Sequence, residues 1–310
     1  MNLSVVIPVY NEVESLPNLK KELKANLINY YEWEVIFVDD GSSDGSSEWL
    51  YQLSQNEENF KLIQFYKNYG KSAALNEGFK SAKGKYIVTM DADLQDDPSE
   101  IKNLLSKLKE GWDLVSGWKK NRLDPLNKRI PSKIFNFVTR VLTGVKINDF
   151  NCGLKGYKSS VIKNLEIYGG RHRYIPALAA QREFKITEIV VNHRTREYGK
   201  TKYGGSRIFH GFYDLITILF LNKFIQQPLH FFGSLGIGFF TIGFISQCFV
   251  LFYKYFLNEP FSRHIALIMF GVMLIVIGIQ FFSIGLLGEL VAKTNQGQEK
   301  RIKFRSHPIN

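Results

Sequence analysis

Residues 86–95 decide the fold of this chain and read Tyr86-Ile87-Val88-Thr89-Met90-Asp91-Ala92-Asp93-Leu94-Gln95. The apolar run is typical of a buried strand, and it ends in two carboxylates and an amide. Alternate residues of an extended segment point to the same side, so Asp91, Asp93 and Gln95 are predicted to share one face. Their oxygens suit Mg²⁺ or Mn²⁺ that keeps open positions for a phosphate-bearing ligand.

An Asp-x-Asp pattern alone is a weak motif, because a polar turn between a strand and a helix has the same composition. Asp97 and Pro98 fit the simpler description, as the N-cap and the first residue of the next helix. Whether Asp91 and Asp93 form a binding site therefore depends on the rest of the chain.

The pattern of an apolar run followed by a polar turn recurs along the first part of the chain. Strands are predicted at residues 3–9, 35–38, 61–66, 85–90 and 113–117, and helices at 14–29, 45–57, 71–82 and 98–109. This alternation predicts an open, mostly parallel α/β sheet, whose ligands gather at the carboxyl ends of the strands. Polar clusters follow Val9, Val38, Tyr66 and Met90, so we expect them to meet at one rim.

Charge and cysteine content narrow the class of protein. The formal charge of +11 and the pI near 9.4 favour an anionic partner: a nucleic acid, a nucleotide or a membrane surface. Cys152 and Cys248 are too few for a disulfide framework or a zinc site, so a reducing compartment is expected. The N-terminus lacks the basic region and the cleavage site of a signal peptide, and no signal peptide is expected.

Residues 118–205 are less regular and rich in Lys and Arg. Within them, apolar residues at 134, 137, 138, 141 and 142 have helical spacing and predict an amphipathic helix. Two interpretations stay open. One is an ordinary surface helix packed on the sheet, and the other is a helix on a membrane surface, where basic side chains meet lipid phosphates.

Two apolar runs in the last third, residues 231–253 and 265–287, carry no charged side chain. Each is long enough to cross a hydrocarbon core of about 30 Å, so together they predict a helical hairpin through the bilayer. Basic residues are frequent within 200–223 and 293–305, whereas the connector 254–264 has one Lys and one Arg. The positive-inside rule therefore predicts a multi-pass protein of the inner membrane, with the α/β domain and both termini in the cytoplasm.

Four motifs at predicted strand ends resemble those of family 2 glycosyltransferases. They read Val6-Ile7-Pro8-Val9-Tyr10-Asn11-Glu12, Val38-Asp39-Asp40-Gly41-Ser42-Ser43-Asp44, Asn68-Tyr69-Gly70-Lys71-Ser72-Ala73-Ala74-Leu75-Asn76-Glu77-Gly78 and Asp91-Ala92-Asp93-Leu94-Gln95. With the apolar hairpin, the chain more narrowly resembles the polyprenyl-phosphate sugar transferases, which are relatives of dolichol-phosphate mannose synthase. The resemblance covers essentially all 310 residues.

This resemblance implies a GT-A fold and a division of the chain into four parts. A mostly parallel α/β catalytic domain is expected over residues 1–205, and an interfacial amphipathic helix over 206–227. Two transmembrane helices are expected within 228–292, followed by a basic cytoplasmic tail over 293–310.

The resemblance also implies a donor site for a nucleotide sugar and a divalent cofactor, Mg²⁺ or Mn²⁺. The metal ligands would be Asp91, Asp93 and Gln95. Breaking the sugar–phosphate bond builds negative charge on the departing diphosphate, which a metal ion and basic side chains stabilise. Asp40 and Asp44 are expected to hold their own turn together. The residues expected to bind the donor nucleotide are Pro8, Tyr10, Glu12, Asp39, Lys71, Asp91 and Ala92.

Residues 149–155 match a family segment whose aspartate is proposed to be catalytic, so Asp149 joins Asp93 as a catalytic candidate. A lipid phosphate has a second pKa of about 6 and needs positioning more than deprotonation. We therefore expect Asp149 to orient the acceptor or the sugar hydroxyls, with general base as its second role. Cys152 is expected to be a small buried residue and not a nucleophile.

Arginine's planar fork suits phosphate oxygens, so basic residues between the sheet rim and the membrane are expected to bind the acceptor. The segment Trp118-Lys119-Lys120 departs from the Gly-x-Arg of the family, which leaves open which cation there meets the acceptor. The residues expected to bind the acceptor phosphate are Arg122, Arg171, Arg194, Arg196 and Lys202.

The resulting prediction is an inverting, metal-dependent hexosyltransferase that moves a sugar from a UDP- or GDP-linked donor to polyprenyl phosphate, for glycan or surface-polymer modification. UDP-glucose is favoured over GDP-mannose. No nucleic acid partner is expected, and a homo-oligomer is left open. One alternative is a processive polysaccharide synthase, but Gln181-Arg182-Glu183-Phe184 is not its Gln-x-x-Arg-Trp motif. The other is a non-catalytic, membrane-anchored protein that binds anions or lipids.

Overall fold

The computed structural model describes residues 2–120, 126–165, 171–195 and 227–295. The chain divides into two compact units, Met1–Ile216 and Thr217–Asn310. The first unit is built on a β-sheet, and the second contains two long apolar helices.

The sheet of the first unit has seven strands in the order β3-β2-β1-β4-β6-β5-β7. Neighbouring strands are parallel except for β6, which runs antiparallel to both β4 and β5. The strands are β1 (Leu3–Val9), β2 (Trp33–Asp39), β3 (Phe60–Gln64), β4 (Tyr86–Thr89), β5 (Leu114–Trp118), β6 (Lys155–Lys158) and β7 (Ile186–Val190).

Helices cover both faces of the sheet. They are α1 (Leu16–Leu27), α2 (Ser46–Asn56), α3 (Lys71–Ser81), α4 (Ile101–Lys109), α5 (Leu126–Thr143), α6 (Ser159–Lys163) and α7 (Ile175–Gln181). Buried side chains of α1, α2 and α4 share one core with Val5 and Ile7 of β1, whereas α3, α6 and α7 share a second core with Val6. Successive strand residues face opposite sides, which explains why these strands are apolar throughout.

The predicted mostly parallel α/β sheet is confirmed, but the pattern missed two strands, β7 and the antiparallel β6. Strand β6 has four residues, Lys-Gly-Tyr-Lys, without the β-branched residues that mark a strand. It forms because β4 and β5 flank it and supply hydrogen bonds on both sides. Its pairing with β4 brings the segment before Lys155 to the end of β4.

The amphipathic helix predicted around residues 134–142 is part of α5. One side of α5 packs on neighbouring segments: the Asn136 Oδ1 accepts from the Phe150 N–H at 3.2 Å, and the Phe135 and Tyr174 ring centroids are 5.7 Å apart. The side chains of Ile134 and Phe137 are exposed. This exposed apolar side is compatible with a position of α5 on a membrane surface, which stays a prediction.

The second unit contains α8 (Pro228–Phe256) and α9 (Ile265–Asn295). Both helices are long and apolar enough to cross a membrane, and they contain the predicted runs 231–253 and 265–287. The two predicted apolar helices are therefore confirmed, and each extends beyond its uncharged run.

Glycines allow α8 and α9 to approach closely. A Cβ atom added at Gly278 would lie 2.7 Å from the Gly236 carbonyl oxygen and 2.7 Å from the Phe240 amide nitrogen. One added at Gly243 would lie 2.7 Å from the Gly271 carbonyl oxygen. Small residues are common where the backbones of two apolar helices touch, because lipid provides little hydrophobic drive for association.

Gly278→Ala should lower the thermal midpoint of the detergent-solubilised chain, because the new methyl group meets backbone atoms that cannot move aside alone. Overpacking of this kind costs about 1–3 kcal/mol. Gly238→Ala is the matched control, since nothing lies within 4 Å of its added Cβ. That variant should match or exceed the wild type, because alanine favours a helix by up to about 1 kcal/mol. Equal midpoints for the two variants would contradict this packing.

Candidate active site

The Asp-x-Asp segment lies just after β4, but it is not extended as the alternation argument assumed. β4 ends at Thr89, and the backbone bends over residues 92–94. Leu94 has a φ of 60°, in the left-handed region that costs a residue with a Cβ roughly 1–2 kcal/mol. The Gln95 N–H donates to the Asp93 Oδ1 at 3.3 Å. A turn, and not the pleat of a strand, therefore sets the directions of Asp91, Asp93 and Gln95.

Contacts on both sides hold this turn. The Ser15 hydroxyl, at the start of α1, donates to the Ala92 carbonyl at 2.7 Å. On the other side, the Arg194 N–H donates to the Gln95 carbonyl at 3.1 Å, and Asp96 forms a β-bridge with His193. The turn is thus fixed by the loops that follow β1 and β7.

A buried ion pair fixes the start of the turn. The Asp96 side chain is fully buried; its Oδ2 accepts from the Asp91 N–H at 3.1 Å, and its Oδ1 lies 2.8 Å from the Lys119 Nζ. Burial lowers the pKa of Lys119, but Asp96 outweighs it and raises that pKa above its usual value. Lys119 is therefore bound to Asp96, while Lys120 lies 5.5 Å from the centroid of the Trp118 ring.

Asp91 is the ionised carboxylate of the site. Lys71, the first residue of α3, contacts the Asp91 Oδ1 through its Nζ. Burial alone would raise the pKa of Asp91, but the charges of Lys71 and Lys119 outweigh it and lower that pKa to about 2. The carboxylate is therefore negative at neutral pH and, with 32% of its side chain exposed, accessible to a ligand.

A cleft opens beside Asp91. Gly153 forms one of its walls, and a Cβ added there would lie 2.7 Å from the Asp91 Cγ, so only glycine fits this approach. Gly153 and Lys155 belong to the family segment 149–155, but the sequence analysis assigned neither residue to the site. The cleft is lined by Pro8, Lys71, Leu75, Thr89, Met90, Asp91, Phe150, Asn151, Cys152, Gly153, Lys155, Tyr157, His172, Arg173 and Ile175.

His172 is a third residue of the cleft that the sequence analysis did not assign to the site. Its Nδ1 lies 2.8 Å from the Ser72 Oγ, and its backbone N–H donates to the same oxygen at 3.2 Å. Burial and the charges of Lys71 and Arg173 lower the pKa of His172 well below its usual range. This imidazole is therefore neutral at pH 7, and it lies next to the start of α3.

The predicted nucleotide-binding residues lie at the ends of β1 and β2. Pro8 lines the cleft, and Tyr10 and Glu12 follow β1. The Asp39 side chain is fully buried, where its Oδ1 accepts from the Ser42 N–H at 3.1 Å. Its predicted contact with the donor nucleotide stays a prediction.

Asp40 and Asp44 hold loops together, although Asp40 does so across two loops and not within its own turn. Asp40 accepts from the Tyr69 N–H at 2.7 Å and from the Gly70 N–H at 2.9 Å, which fixes the loop before α3. Asp44 accepts from the Ser46 N–H at 3.0 Å within its own turn, and also from the Val13 N–H at 3.0 Å in the loop after β1.

Asp149 is 2% exposed, and its Oδ1 accepts from the Asn151 N–H at 3.0 Å. The side chain thus shapes the segment whose next residues line the cleft, and a direct contact with substrate stays a prediction. Cys152 behaves as expected of a small buried residue: burial raises the pKa of its thiol to about 12, so it stays protonated.

Arg194, one of the predicted acceptor-binding residues, already forms ion pairs with two carboxylates. The Arg194 Nη1 lies 2.7 Å from the Glu22 Oε2, and its Nη2 lies 2.9 Å from the Asp97 Oδ2. Phosphate binding by Arg194 stays a prediction, and it would have to compete with both partners. Arg171 begins a short turn of 3₁₀ helix, Arg171–Tyr174, next to the cleft. Three further candidates lie outside the described residues: Arg122, Arg196 and Lys202.

The oxygen atoms of the residues after β4 are ligands of the type that a hard divalent cation prefers. Among the described residues, no three His, Cys, Asp or Glu side chains come together as a complete metal site. A Mg²⁺-type ion, however, is commonly held by one or two carboxylates and completed by substrate phosphates. Asp91 is ionised and partly exposed, and Asp93 and Gln95, which follow it in the same turn, carry oxygen ligands of that kind.

A mostly parallel sheet with an Asp-x-Asp loop at the end of its central strand defines a GT-A-like nucleotide-sugar transferase. The fold matches glucosyl-3-phosphoglycerate synthase from Mycobacterium tuberculosis in complex with Mn²⁺ and uridine-diphosphate-glucose, with a TM-score of 0.53 at 16% identity. The match covers 71% of this chain and 78% of that one. The model of glycosyl transferase family 2 matches residues 4–166, and the chain belongs to that family.

Relatives match nearly the whole length of the chain. Dodecaprenyl-phosphate galacturonate synthase of Rhizobium johnstonii is 36% identical over 300 residues, which covers 95% of this chain and 88% of the relative. Undecaprenyl-phosphate 4-deoxy-4-formamido-L-arabinose transferase of Salmonella enteritidis is also 36% identical, covering 97% and 91%. The namesake from Pseudomonas savastanoi is 33% identical, covering 97% and 89%.

Lys119→Met should destabilise the first unit, because it leaves the Asp96 carboxylate buried without its cation. Breaking a buried ion pair from one side costs about 3–5 kcal/mol. Lys120→Met is the control, since Lys120 is exposed and a surface cation–π contact contributes only about 0.5–1 kcal/mol. Thermal unfolding of the two full-length variants measures the difference. A midpoint for Lys119→Met as high as that of the control would show that the pair does not stabilise the fold.

Proposed function

We propose that the chain is an inverting glycosyltransferase that moves a sugar from a nucleoside-diphosphate donor to polyprenyl phosphate at the cytoplasmic face of a membrane. The observation that carries this proposal is the ionised Asp91 carboxylate, paired with Lys71 in a cleft at the rim of a GT-A sheet. Such a pair offers an acidic metal ligand and a fixed cation to the same diphosphate.

Similarity along nearly the whole chain supports polyprenyl phosphate as the acceptor. The relatives carry dodecaprenyl phosphate or undecaprenyl phosphate in their names. Helices α8 and α9 would anchor the enzyme in the bilayer that holds such a lipid. The excess of Lys and Arg outside the connector between them supports a cytoplasmic catalytic unit at the inner membrane.

In the proposed reaction, an oxygen of the acceptor phosphate attacks the anomeric carbon while the bond from that carbon to the donor diphosphate breaks. The acceptor is largely dianionic at pH 7, because its second pKa is about 6, so it needs positioning more than a base. Lys71 stabilises the negative charge that develops on the leaving diphosphate. Buried Asp149 acts first as an organiser of the acceptor side, with general base as its second role.

Mg²⁺ or Mn²⁺ is the proposed cofactor, held by Asp91, Asp93 and Gln95. Bound there, the ion would supply positive charge to the leaving diphosphate. The low pKa of Asp91 supports this role, because a hard cation needs a deprotonated carboxylate.

The donor is proposed from a short set of nucleotide sugars. UDP-glucose is the first choice and GDP-mannose the second. The relatives are named for galacturonate and for 4-deoxy-4-formamido-L-arabinose, so nucleotide donors of those two sugars complete the set.

Asp91→Asn and Asp93→Asn should each lower transfer by at least about 100-fold, the usual effect of removing one group that stabilises developing charge. Both amides keep the size of the side chain, so both variants should fold, although Asp91→Asn also loses the ion pair with Lys71. Glu110→Gln is the control, because Glu110 forms an exposed pair with Lys107. The measurement is transfer of labelled sugar to polyprenyl phosphate. If both variants kept wild-type turnover, the proposed site would be wrong.

Chelation tests the cofactor separately from the reaction. Transfer from the four donors to polyprenyl phosphate should stop with EDTA and return when Mn²⁺ or Mg²⁺ is added in excess. Turnover that EDTA does not affect would remove the metal from the proposal, whereas no turnover with any donor would remove the enzyme function.

A further inference from the structure

We propose that Lys155 is a phosphate-binding residue of the cleft, and that its buried ammonium group provides a fixed positive charge to a substrate phosphate. This inference rests on the proposed function and adds to it a residue that neither the Asp-x-Asp motif nor the predicted acceptor-binding set contains.

Lys155 is buried far more than lysine usually is. It is the first residue of β6, paired with Thr89 of β4 and Ser116 of β5, so it lies inside the sheet. Only 3% of the residue is exposed. Removing an ammonium group from water costs several kcal/mol, and proteins normally offset that cost with a carboxylate.

Lys155 has neutral partners instead. Its Nζ donates to the Phe150 carbonyl at 3.2 Å and to the Cys152 carbonyl. In the described part of the chain, no carboxylate forms an ion pair with it. An ammonium group has three N–H donors, so two carbonyls leave one donor for a further acceptor. The arrangement holds the cation in place without neutralising it.

The cleft around Lys155 has an excess of positive charge. Of the described residues that line it, Lys71, Lys155 and Arg173 are basic and only Asp91 is acidic. Burial, reinforced by the charge of Lys71, lowers the pKa of Lys155 below its usual value, against the opposing charges of Asp149 and Asp91. A bound anion would restore the balance of charge and would favour the protonated lysine.

Phosphate is the anion that the proposed reaction brings to this cleft. It comes from two sources, the diphosphate of the donor and the monoester of the acceptor, and both present the same anionic oxygens. An ammonium group fixed in a site of low dielectric interacts strongly with such oxygens, because it needs no reorganisation when they arrive.

A purely structural role makes a different prediction. In that case the ammonium group only ties the carbonyls of the segment before β6, and any uncharged donor of similar reach would replace it. Lys155→Gln separates the roles, because the amide can donate two hydrogen bonds but carries no charge. Lys155→Met removes both donors and charge, and Lys155→Arg keeps the charge.

The experiment uses the full-length protein in detergent and these three variants. Lys158→Met is the control, because Lys158 lies on the same strand but pairs with Asp113 at 2.8 Å. For each protein we measure the thermal midpoint, kcat/KM, and the rise in midpoint caused by a nucleoside diphosphate or by a short-chain prenyl phosphate. We expect Lys155→Gln and Lys155→Met to lower kcat/KM by about 100-fold or more, with Lys155→Arg closer to the wild type.

The ligand shifts identify the source of the phosphate. If the Lys155 variants lose the rise in midpoint caused by the nucleoside diphosphate, Lys155 binds the phosphate of the donor. If they lose the rise caused by prenyl phosphate, Lys155 binds the phosphate of the acceptor. Wild-type activity and shifts in Lys155→Gln would overturn the proposal, even if Lys155→Met does not fold, because only the structural role survives that substitution. If the wild type transfers no sugar, the proposed function fails, but the ligand shifts still test Lys155.

Discussion

The site depends on one buried carboxylate, that of Asp96. It accepts a hydrogen bond from the backbone of Asp91, forms an ion pair with Lys119, and belongs to a residue that bridges to His193. Those three partners follow β4, β5 and β7, so the side chain and backbone of a single residue connect three strand ends. A buried charge tolerates few geometries, because every alternative leaves it without a partner. That intolerance keeps the turn after β4, with its strained Leu94, in one conformation.

The antiparallel strand β6 supplies the other half of the site. Its insertion between β4 and β5 turns the chain back toward Asp91, so that Gly153 touches the carboxylate and Lys155 lies inside the sheet. In a wholly parallel sheet, loops alone would form both walls of the site. Here a strand fixes one wall, which places the cation of Lys155 on the rigid part of the fold. Precise placement matters because electrostatic stabilisation acts only when the charge is already in position.

Much of this arrangement could be predicted from the sequence. Strands, helices and the meeting of polar strand ends follow from local hydrophobic patterns, and those patterns are strong in this chain. β6 could not be predicted, because its pairing with distant strands stabilises it and its own residues do not. The directions of Asp91, Asp93 and Gln95 were predicted from an extended backbone, whereas a turn with a left-handed residue sets them. Local patterns do not encode which distant contacts will hold such a turn.

The basic residues show why charge alone does not identify a phosphate site. Lys119 and Arg194 belong to the basic segments that suggested acceptor binding, yet Asp96, Glu22 and Asp97 engage them. Lys155 belongs to the segment 149–155 but received no role from the sequence, yet neutral carbonyls hold it in the lining of the cleft. A cation that already has a carboxylate must give up that energy before it binds a phosphate, whereas one held by carbonyls does not. The state of pairing in the fold, and not the number of Lys and Arg, therefore sets how readily a cation binds a substrate phosphate. Lys71 is paired with Asp91, but that pair lies in the cleft, where the proposed metal ion would engage the carboxylate.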